Sequence, residues 1–295
     1  MTRDEIVEGA RDAIQQGSKS FRAASRLFDH VTRERAWLLY CWCRHCDDVA
    51  DGQVFGFGHV EPGKVSTLRQ ETRRAIEGLP GEAIAFQALA LLISERSIPA
   101  KYLEDHLEGF ALDEAGWRPR TAEDLTRYCY HVAGAVGCMM AVIMGVQADD
   151  EDTLGRAADL GIAFQLSNIA RDLREDLENG RCYLPTDWLA EFGVTPDQLF
   201  QLEHQPALLT MVGRLIEQVR AREASAHKGA EQLPFRSRLA VLTALRIYGA
   251  IGRRVQKLGS HAWDERVSVG KARKLAMLIP SFAEATFGAE AAGAK

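Results

Sequence analysis

Long hydrophobic runs are missing from this chain. The longest, Val132 to Val146, has about 15 residues, three of them glycine, which is short of the ~20 needed to span a bilayer; it reads as a buried helix. Strand signals are missing too: nowhere do β-branched and aromatic residues alternate with polar ones between hairpin turns. Proline is scarce, 9 in 295 residues, and no Pro/Ser-rich linker, low-complexity tract or internal repeat offers a boundary, so residues 1–295 read as a single domain. The start, MTRDEIVEGA, is charged and lacks the apolar core of a signal peptide. The six cysteines, Cys41, Cys43, Cys46, Cys129, Cys138 and Cys182, are therefore expected reduced, in the cytoplasm. An excess of positive charge is also absent. At a formal net charge of −5 no generic attraction to nucleic acid or anionic lipid is expected, and an anionic ligand would need a local cationic site. Weak attachment to a membrane through an amphipathic surface stays open.

What is present is helical periodicity. Hydrophobic residues at 46% and charged ones at 26% exclude a disordered chain, and apolar residues recur at three- and four-residue spacing near 3–16, 32–51, 63–78, 82–95, 99–113, 121–146, 151–178, 207–229, 236–259 and 270–279. Breakers separate these stretches: Gly52 and the VFGFGH stretch, Leu79-Pro80-Gly81, Ile98-Pro99, Trp117-Arg118-Pro119 and Tyr183-Leu184-Pro185. The pattern predicts an all-α bundle.

Two of these helices carry charge beside their buried faces. On the first, Ala36, Leu39, Trp42, Cys43, Cys46, Val49 and Ala50 share an apolar arc, and next to it runs a second stripe of Trp37, Tyr40, Arg44, Asp47 and Asp51. Asp47 and Asp51 stand one turn apart and repel unless a cation lies between them, a spacing of hard oxygens that suits Mg²⁺. The alternative is a solvated helix end. Cys43-x-x-Cys46 beside His45 invites a redox or zinc reading, but no strand-to-helix junction and no matching second pair of ligands accompany it; small buried cysteines on an apolar face account for it.

The second helix repeats the logic. Leu154, Ala158, Gly161, Gln165, Asn168, Asp172 and Asp176 form one stripe that begins apolar and turns into amides and then carboxylates, with Arg171 and Arg181 nearby. A polar column that continues a core stripe is costly to bury unless it binds something. One account explains both stripes: a cavity between helices whose mouth carries two facing acidic pairs, each holding Mg²⁺ against a ligand's diphosphate, with arginines completing the neutralisation. The small residues Ala133, Gly134, Gly137, Ala141 and Gly145 recur near one face and would either wall that cavity or let two helices pack closely. Removing one of two repelling acids should relieve strain, so Asp47→Ala and Asp172→Ala are expected to abolish turnover at unchanged or raised stability.

The residues resemble those of the squalene/phytoene synthase family, and more closely its bacterial phytoene branch. Gly17-Ser18-Lys19-Ser20-Phe21 is similar to the family's N-terminal element, and Cys43-Arg44-His45-Cys46-Asp47-Asp48-Val49-Ala50-Asp51 to its first aspartate motif. Asp105-His106-Leu107-Glu108-Gly109-Phe110 resembles a segment of the phytoene branch. Tyr128 to Gly137 (YCYHVAGAVG) resembles one family signature, and Gln165 to Asp176 (QLSNIARDLRED), followed by Arg181-Cys182-Tyr183-Leu184-Pro185, the other. The likeness runs over roughly residues 15–280.

The resemblance implies an isoprenoid-synthase helical bundle around a central hydrophobic cavity. It implies head-to-head condensation of two prenyl diphosphates, dependent on Mg²⁺ or Mn²⁺ in its place, and for the phytoene branch two geranylgeranyl diphosphates joined through a cyclopropylcarbinyl (prephytoene) diphosphate without NADPH. It places Asp47, Asp51, Asp172 and Asp176, with Asn168, at the metal, and Tyr40, Arg44, Asn168, Arg171, Tyr248 and Arg266 toward the diphosphates or the flap above them. Ser18 and Ser20 match positions near a phosphate. Ala133, Gly134, Gly137 and Gln165 are candidate wall residues, and GQVFGFGHVEPGK after Asp51 occupies an element that varies in type across the family. One or two side chains at the cavity floor would separate C15 from C20 chains. The rivals are a C30 squalene- or dehydrosqualene-type synthase using farnesyl diphosphate, a non-catalytic assembly factor of the same fold, and a simple partner-binding bundle whose acids are only solvated. A hydrophobic substrate and product imply loose association with the cytoplasmic membrane face; charge patterning does not locate the docking surface.

Overall fold

A computed structural model of the chain describes residues 1–52 and 63–288, apart from the side chains at 19 and 20. Among these residues there is no strand. The α-helices are α1 (Arg3–Gly17), α2 (Lys19–Ser25), α3 (His30–Asp51), α4 (Val65–Ile76), α5 (Ile84–Glu95), α6 (Ala100–Glu114), α7 (Ala122–Cys129), α8 (Ala135–Ile143), α9 (Glu151–Glu178), α10 (Thr186–Glu191), α11 (Gln205–Ala230), α12 (Phe235–Leu258) and α13 (Lys271–Phe287).

The helix ends follow local chemistry. Thr2 and Glu5 form a capping box before α1, and Asp29 and Asp150 accept the N–H groups of Thr32 and Thr153 at the starts of α3 and α9, each satisfying a donor that the first turn leaves orphaned. Gly52, at φ 63°, ends α3 immediately after Asp51, in the left-handed conformation that glycine adopts without strain.

The structure departs from the sequence expectation in four places. The helix expected over 121–146 is divided by a π-helical turn, Tyr130–Gly134, between α7 and α8. Here Tyr130 donates its hydroxyl to Asp105 (2.7 Å), the His131 ring meets the Asp105 carbonyl (3.0 Å), and the Ala133 carbonyl lies against Gly161; these contacts hold the widened turn. The last helix passes through Pro280 instead of stopping before it, with Ser281 donating to the Met277 carbonyl (2.8 Å) and Arg246 donating to Ser281 (3.1 Å). Helices α2 and α10, of 7 and 6 residues, are too short to show a period in sequence.

Two apolar groups form the interior. One gathers Leu38, Trp42, Leu89, Leu103 and Met139 from α3, α5, α6 and α8; the other gathers Leu166, Leu173, Leu215, Val255 and Trp263 around α9, α11 and α12. Tyr130 packs against both. The cavity described next is lined from α3 and α6 on one side and α9 on the other.

Candidate active site

A cavity of about 800 Å³ opens between these helices. From α3 it takes Tyr40, Cys43, Arg44, Asp47 and Asp51, and from α9 Gln165, Asn168, Ile169, Arg171, Asp172 and Asp176. Along both helices the lining runs from uncharged to acidic toward the C-terminal end. Neither helix has a basic residue in its last turn, so these acids face the negative ends of two helix dipoles as well as each other, a further demand for cations. The stripe on α9 turns from core to cavity as its sequence does: Leu154 and Ala158 are buried, Gly161 packs on the π turn, and the next four members line the cavity.

Arginines occupy part of that demand. Arg44 donates to Asp47 and Asp48, both at 2.8 Å. Arg181, just beyond α9, reaches Asp51 at the end of α3 (2.9 Å) and so ties the two acidic pairs across the cavity mouth. Asp172 accepts from Arg171 (Nε 2.7 Å) and from both Nε and Nη2 of Arg266 (3.2 and 3.1 Å). The Asp176 backbone carbonyl accepts the Arg181 N–H (2.8 Å), but its carboxylate feels the arginines only at a distance.

The two members of the second pair are therefore unlike. Burial pushes the Asp172 carboxyl up, but Arg171 and Arg266 outweigh it and hold it below the ordinary carboxylate range. Burial, with the charge of Asp172 beside it, pushes Asp176 up to about 7. Asp47 is pushed up to about 6 by burial, with Asp51 adding to the shift and Arg44 opposing it. The expectation that losing Asp172 would relieve strain is thus overturned: Asp172 is the arginine-bound member, and Asp176 carries the unfavourable charge.

The donor set fits a hard divalent cation. It consists of carboxylate oxygens and the Asn168 amide, and among the described residues no three His, Cys, Asp or Glu side chains converge on one point. Such an ion would take at most a pair of carboxylates from the protein and its other ligands from a diphosphate and water, which is the habit of Mg²⁺ and is open to Mn²⁺. Cys43 and Cys46 offer no soft alternative, because burial raises both thiols far above their usual range.

Other candidates take varied places. Tyr40 lines the cavity, its hydroxyl sealed against Gly17 with no hydrogen-bond partner among the described residues, and its ring stacked on Phe21. Ser18 caps α2 by accepting the Phe21 N–H (3.1 Å) and is not part of the cavity lining. The side chain of Ser20, and residues 53–62 within the segment after Asp51, lie outside the described residues. Tyr248 is not in the lining: it stacks on Phe164 at 3.9 Å, within electrostatic reach of Arg171. Arg266 is 63% exposed and arches over Asp172. Gln165 lines the wall, but Ala133, Gly134 and Gly137 do not. They serve close packing instead: a Cβ at Gly137 would run into the Ala157 carbonyl, one at Gly134 would lie 2.9 Å from Tyr130, and the Ala133 carbonyl fills the space over Gly161. Val132 and Val136 are the wall residues of this segment.

Sequence reasoning missed a group on α6. Asp113 lies in the lining and accepts hydrogen bonds from Tyr128 (2.9 Å) and Tyr183 (3.3 Å), whose rings stack at 5.0 Å; burial raises its carboxyl. The signal was available, since His106, Phe110 and Asp113 follow at four and three residues and, like the stripe on α9, pass from aromatic to acid. Arg181, noted only as a nearby cation, proves to be the link between the pairs.

The squalene/phytoene synthase family profile matches residues 14–273. A 15-cis-phytoene synthase of Enterobacter agglomerans is 46% identical over 92% of this chain and 93% of its own, and a phytoene synthase of Pseudescherichia vulneris is 42% identical over 95% and 92%. Among solved structures, a dehydrosqualene synthase superposes with a TM-score of 0.82 at 26% identity, covering 94% of this chain and 95% of its own.

Proposed function

The chain belongs to the squalene/phytoene synthase family and condenses two geranylgeranyl diphosphates into phytoene, a step of carotenoid biosynthesis; we propose that it does so with the diphosphates held at the two acidic pairs through Mg²⁺. The observation that carries this reading is the convergence of Asp47, Asp51, Asp172 and Asp176 on one cavity from two helices, with Arg44, Arg171 and Arg181 among them. Carboxylates alone would repel a diphosphate. Mg²⁺, if bound there, would supply the positive charge that the carboxylates lack and would stabilise a leaving diphosphate.

The rest falls to the chain's own side chains. Asp47 and Asp51 on α3 and Asn168, Asp172 and Asp176 on α9 present oxygens to the cation. Arg44 and Arg171 can turn from Asp47 and Asp172 to the diphosphate oxygens, so that charge is in place where it develops. Arg266 and Tyr248 support Arg171 and Asp172 from the outer side. Phe110, Val132, Val136 and Ile169 keep water from the allylic cation and hold the second substrate's double bond against it, which favours the cyclopropylcarbinyl diphosphate by proximity. The Tyr40 ring offers a π face to the cation. No reductant is needed for a C40 triene, so NADPH is not expected.

We place the enzyme in the cytoplasm, loosely on the inner membrane face: its six cysteines are all free thiols, and substrate tails and product are lipid-soluble. No helix among the described residues is long and apolar enough to cross a membrane. The test is direct. Purified protein is incubated with Mg²⁺ and either C15 or C20 diphosphate, with and without NADPH, and extracted hydrocarbons are identified by mass spectrometry. A C40 triene from the C20 substrate without NADPH is expected; a C30 product alone would move the chain to the squalene branch.

A further inference from the structure

The last helix is built inside out. Its inner face is polar: Ser281 is fully buried, and Glu284, 8% exposed, accepts from Arg246 and pairs with His227 of α11 (3.1 Å). Arg238 adds a bond to the Ala285 carbonyl (3.2 Å). Its outer face is apolar. Leu275, Ile279 and Phe282, four and three residues apart, are 66%, 74% and 53% exposed, and Phe287 is 71% exposed. Glu284 is the only charged residue between Leu275 and Phe287, and it points inward. Phe235, 41% exposed at the start of α12, meets Phe282 edge-on at 5.6 Å and carries the patch onto a second helix. A helix placed on a protein in water ordinarily turns its apolar stripe to the core and its charged residues outward, so a buried Glu284 under an exposed apolar stripe marks this face as an interaction surface.

The rim of the patch identifies the partner. Lys271, one turn before Leu275 on the same side of α13, and Arg236, next to Phe235, stand exposed at the two ends of the patch. In a chain of net charge −5 this is a local reversal of sign, complementary to an anionic lipid surface and not to another copy of the same basic rim. At 17 residues and ~1.5 Å per residue the helix is about 25 Å long, suited to lying in an interface. We propose that the outer face of α13, with Phe235, is the surface by which this protein docks on anionic bilayers, with Leu275, Ile279, Phe282 and Phe287 entering the acyl boundary and Lys271 and Arg236 meeting headgroups. The inference deepens the membrane association proposed above and rests on it: a C40 hydrocarbon has no polar group and must leave into lipid, and α13 lies along α12, the helix that carries Tyr248 behind Arg171.

The test is co-sedimentation of the full chain with phosphatidylcholine vesicles, with and without phosphatidylglycerol. Wild type is expected to bind the anionic vesicles and to bind neutral ones more weakly. The double variant Leu275→Asp/Ile279→Asp should lose at least about tenfold in partitioning to both, and Lys271→Glu should weaken binding to the anionic vesicles only. Leu202→Asp, at an 81% exposed apolar residue away from α13, should bind as wild type. All four proteins should match in circular dichroism, in melting temperature and in turnover of detergent-dispersed substrate. Equal binding by wild type and the α13 double variant would overturn the docking face and leave membrane association standing; no binding by wild type would overturn both. Loss of a dimer in the double variant, without a change in vesicle binding, would assign the face to a second copy and refute the proposal.

Discussion

Replacing Asp172 or Asp176 with asparagine should move stability in opposite directions, although the two acids lie one turn apart on the same helix. In the metal-free protein the Asp176 carboxyl is raised from 3.8 to about 7 by burial and by Asp172. A folded-state value above the unfolded one means that the folded chain binds more protons, so stability falls as pH rises from about 4 through 7 and the whole penalty is present at pH 8. At about 1.4 kcal/mol per unit the ceiling is roughly 4 kcal/mol. Water at the cavity mouth screens much of it and leaves on the order of 1–2 kcal/mol. Asp176→Asn should therefore stabilise the metal-free protein at pH 8 by that amount, or by about 2–4 °C per kcal/mol, and the gain should shrink by pH 5. Asp172 is the reverse case. Its folded value is depressed by Arg171 and Arg266, so its contribution is present at neutral pH and lost as pH falls through that depressed value. Asp172→Asn leaves Arg171, 14% exposed, without its carboxylate and should cost about 1–3 kcal/mol at pH 8. Either single variant relieves the repulsion between the two acids and the double variant relieves it only once, so the double variant should be less stable than the two effects summed. The assay is urea or thermal unfolding in EDTA at pH 5, 6, 7 and 8. Destabilisation by Asp176→Asn at pH 8, or the same sign for both variants, would refute the reasoning.

Three further outcomes follow. Mg²⁺ should raise the melting temperature more at pH 8 than at pH 6, because protons compete for Asp47 and Asp176, at about 6 and about 7; equal shifts would remove these acids from the metal site. Gly161→Ala, which drives a Cβ into the Ala133 carbonyl, and Gly137→Ala, which drives one into that of Ala157, should each cost about 1–3 kcal/mol or more, whereas Gly155→Ala, with nothing within 4 Å of its Cβ, should be neutral or gain up to about 1 kcal/mol in unfolding experiments. Tyr40→Phe removes a hydroxyl that has no partner among the described residues and should leave unfolding within about 0.5 kcal/mol of wild type, while Asp47→Asn should lower kcat about 10²–10³-fold in the Mg²⁺-supplemented product assay.

What could be read from sequence is what repeats. The helices α3 and α9 and the facing of their acids follow from three- and four-residue spacing, because a stripe continued from core to carboxylate forces those carboxylates toward the interior. What escaped is set by contacts between distant residues. The π turn depends on Asp105 and Gly161 meeting Tyr130–Gly134. The assignment of Ala133 and Gly137 to packing depends on which helix lies opposite them, and the division of labour between Asp172 and Asp176 depends on Arg266, 94 residues from Asp172. Asp113 was within reach of the same stripe argument but has no second acid one turn away to draw attention. The oily outer face of α13 was hidden for a related reason: a stripe of Leu275, Ile279 and Phe282 reads as core until the structure turns it to the outside.

The central claim is that the two acidic pairs bind a diphosphate only through a divalent cation. Isothermal titration of inorganic pyrophosphate into the protein tests it most directly. Binding in Mg²⁺ that vanishes in EDTA, and that is lost in both Asp47→Asn and Asp172→Asn, is the predicted result; pyrophosphate binding that is equally tight without metal, or unchanged in those variants, would contradict it.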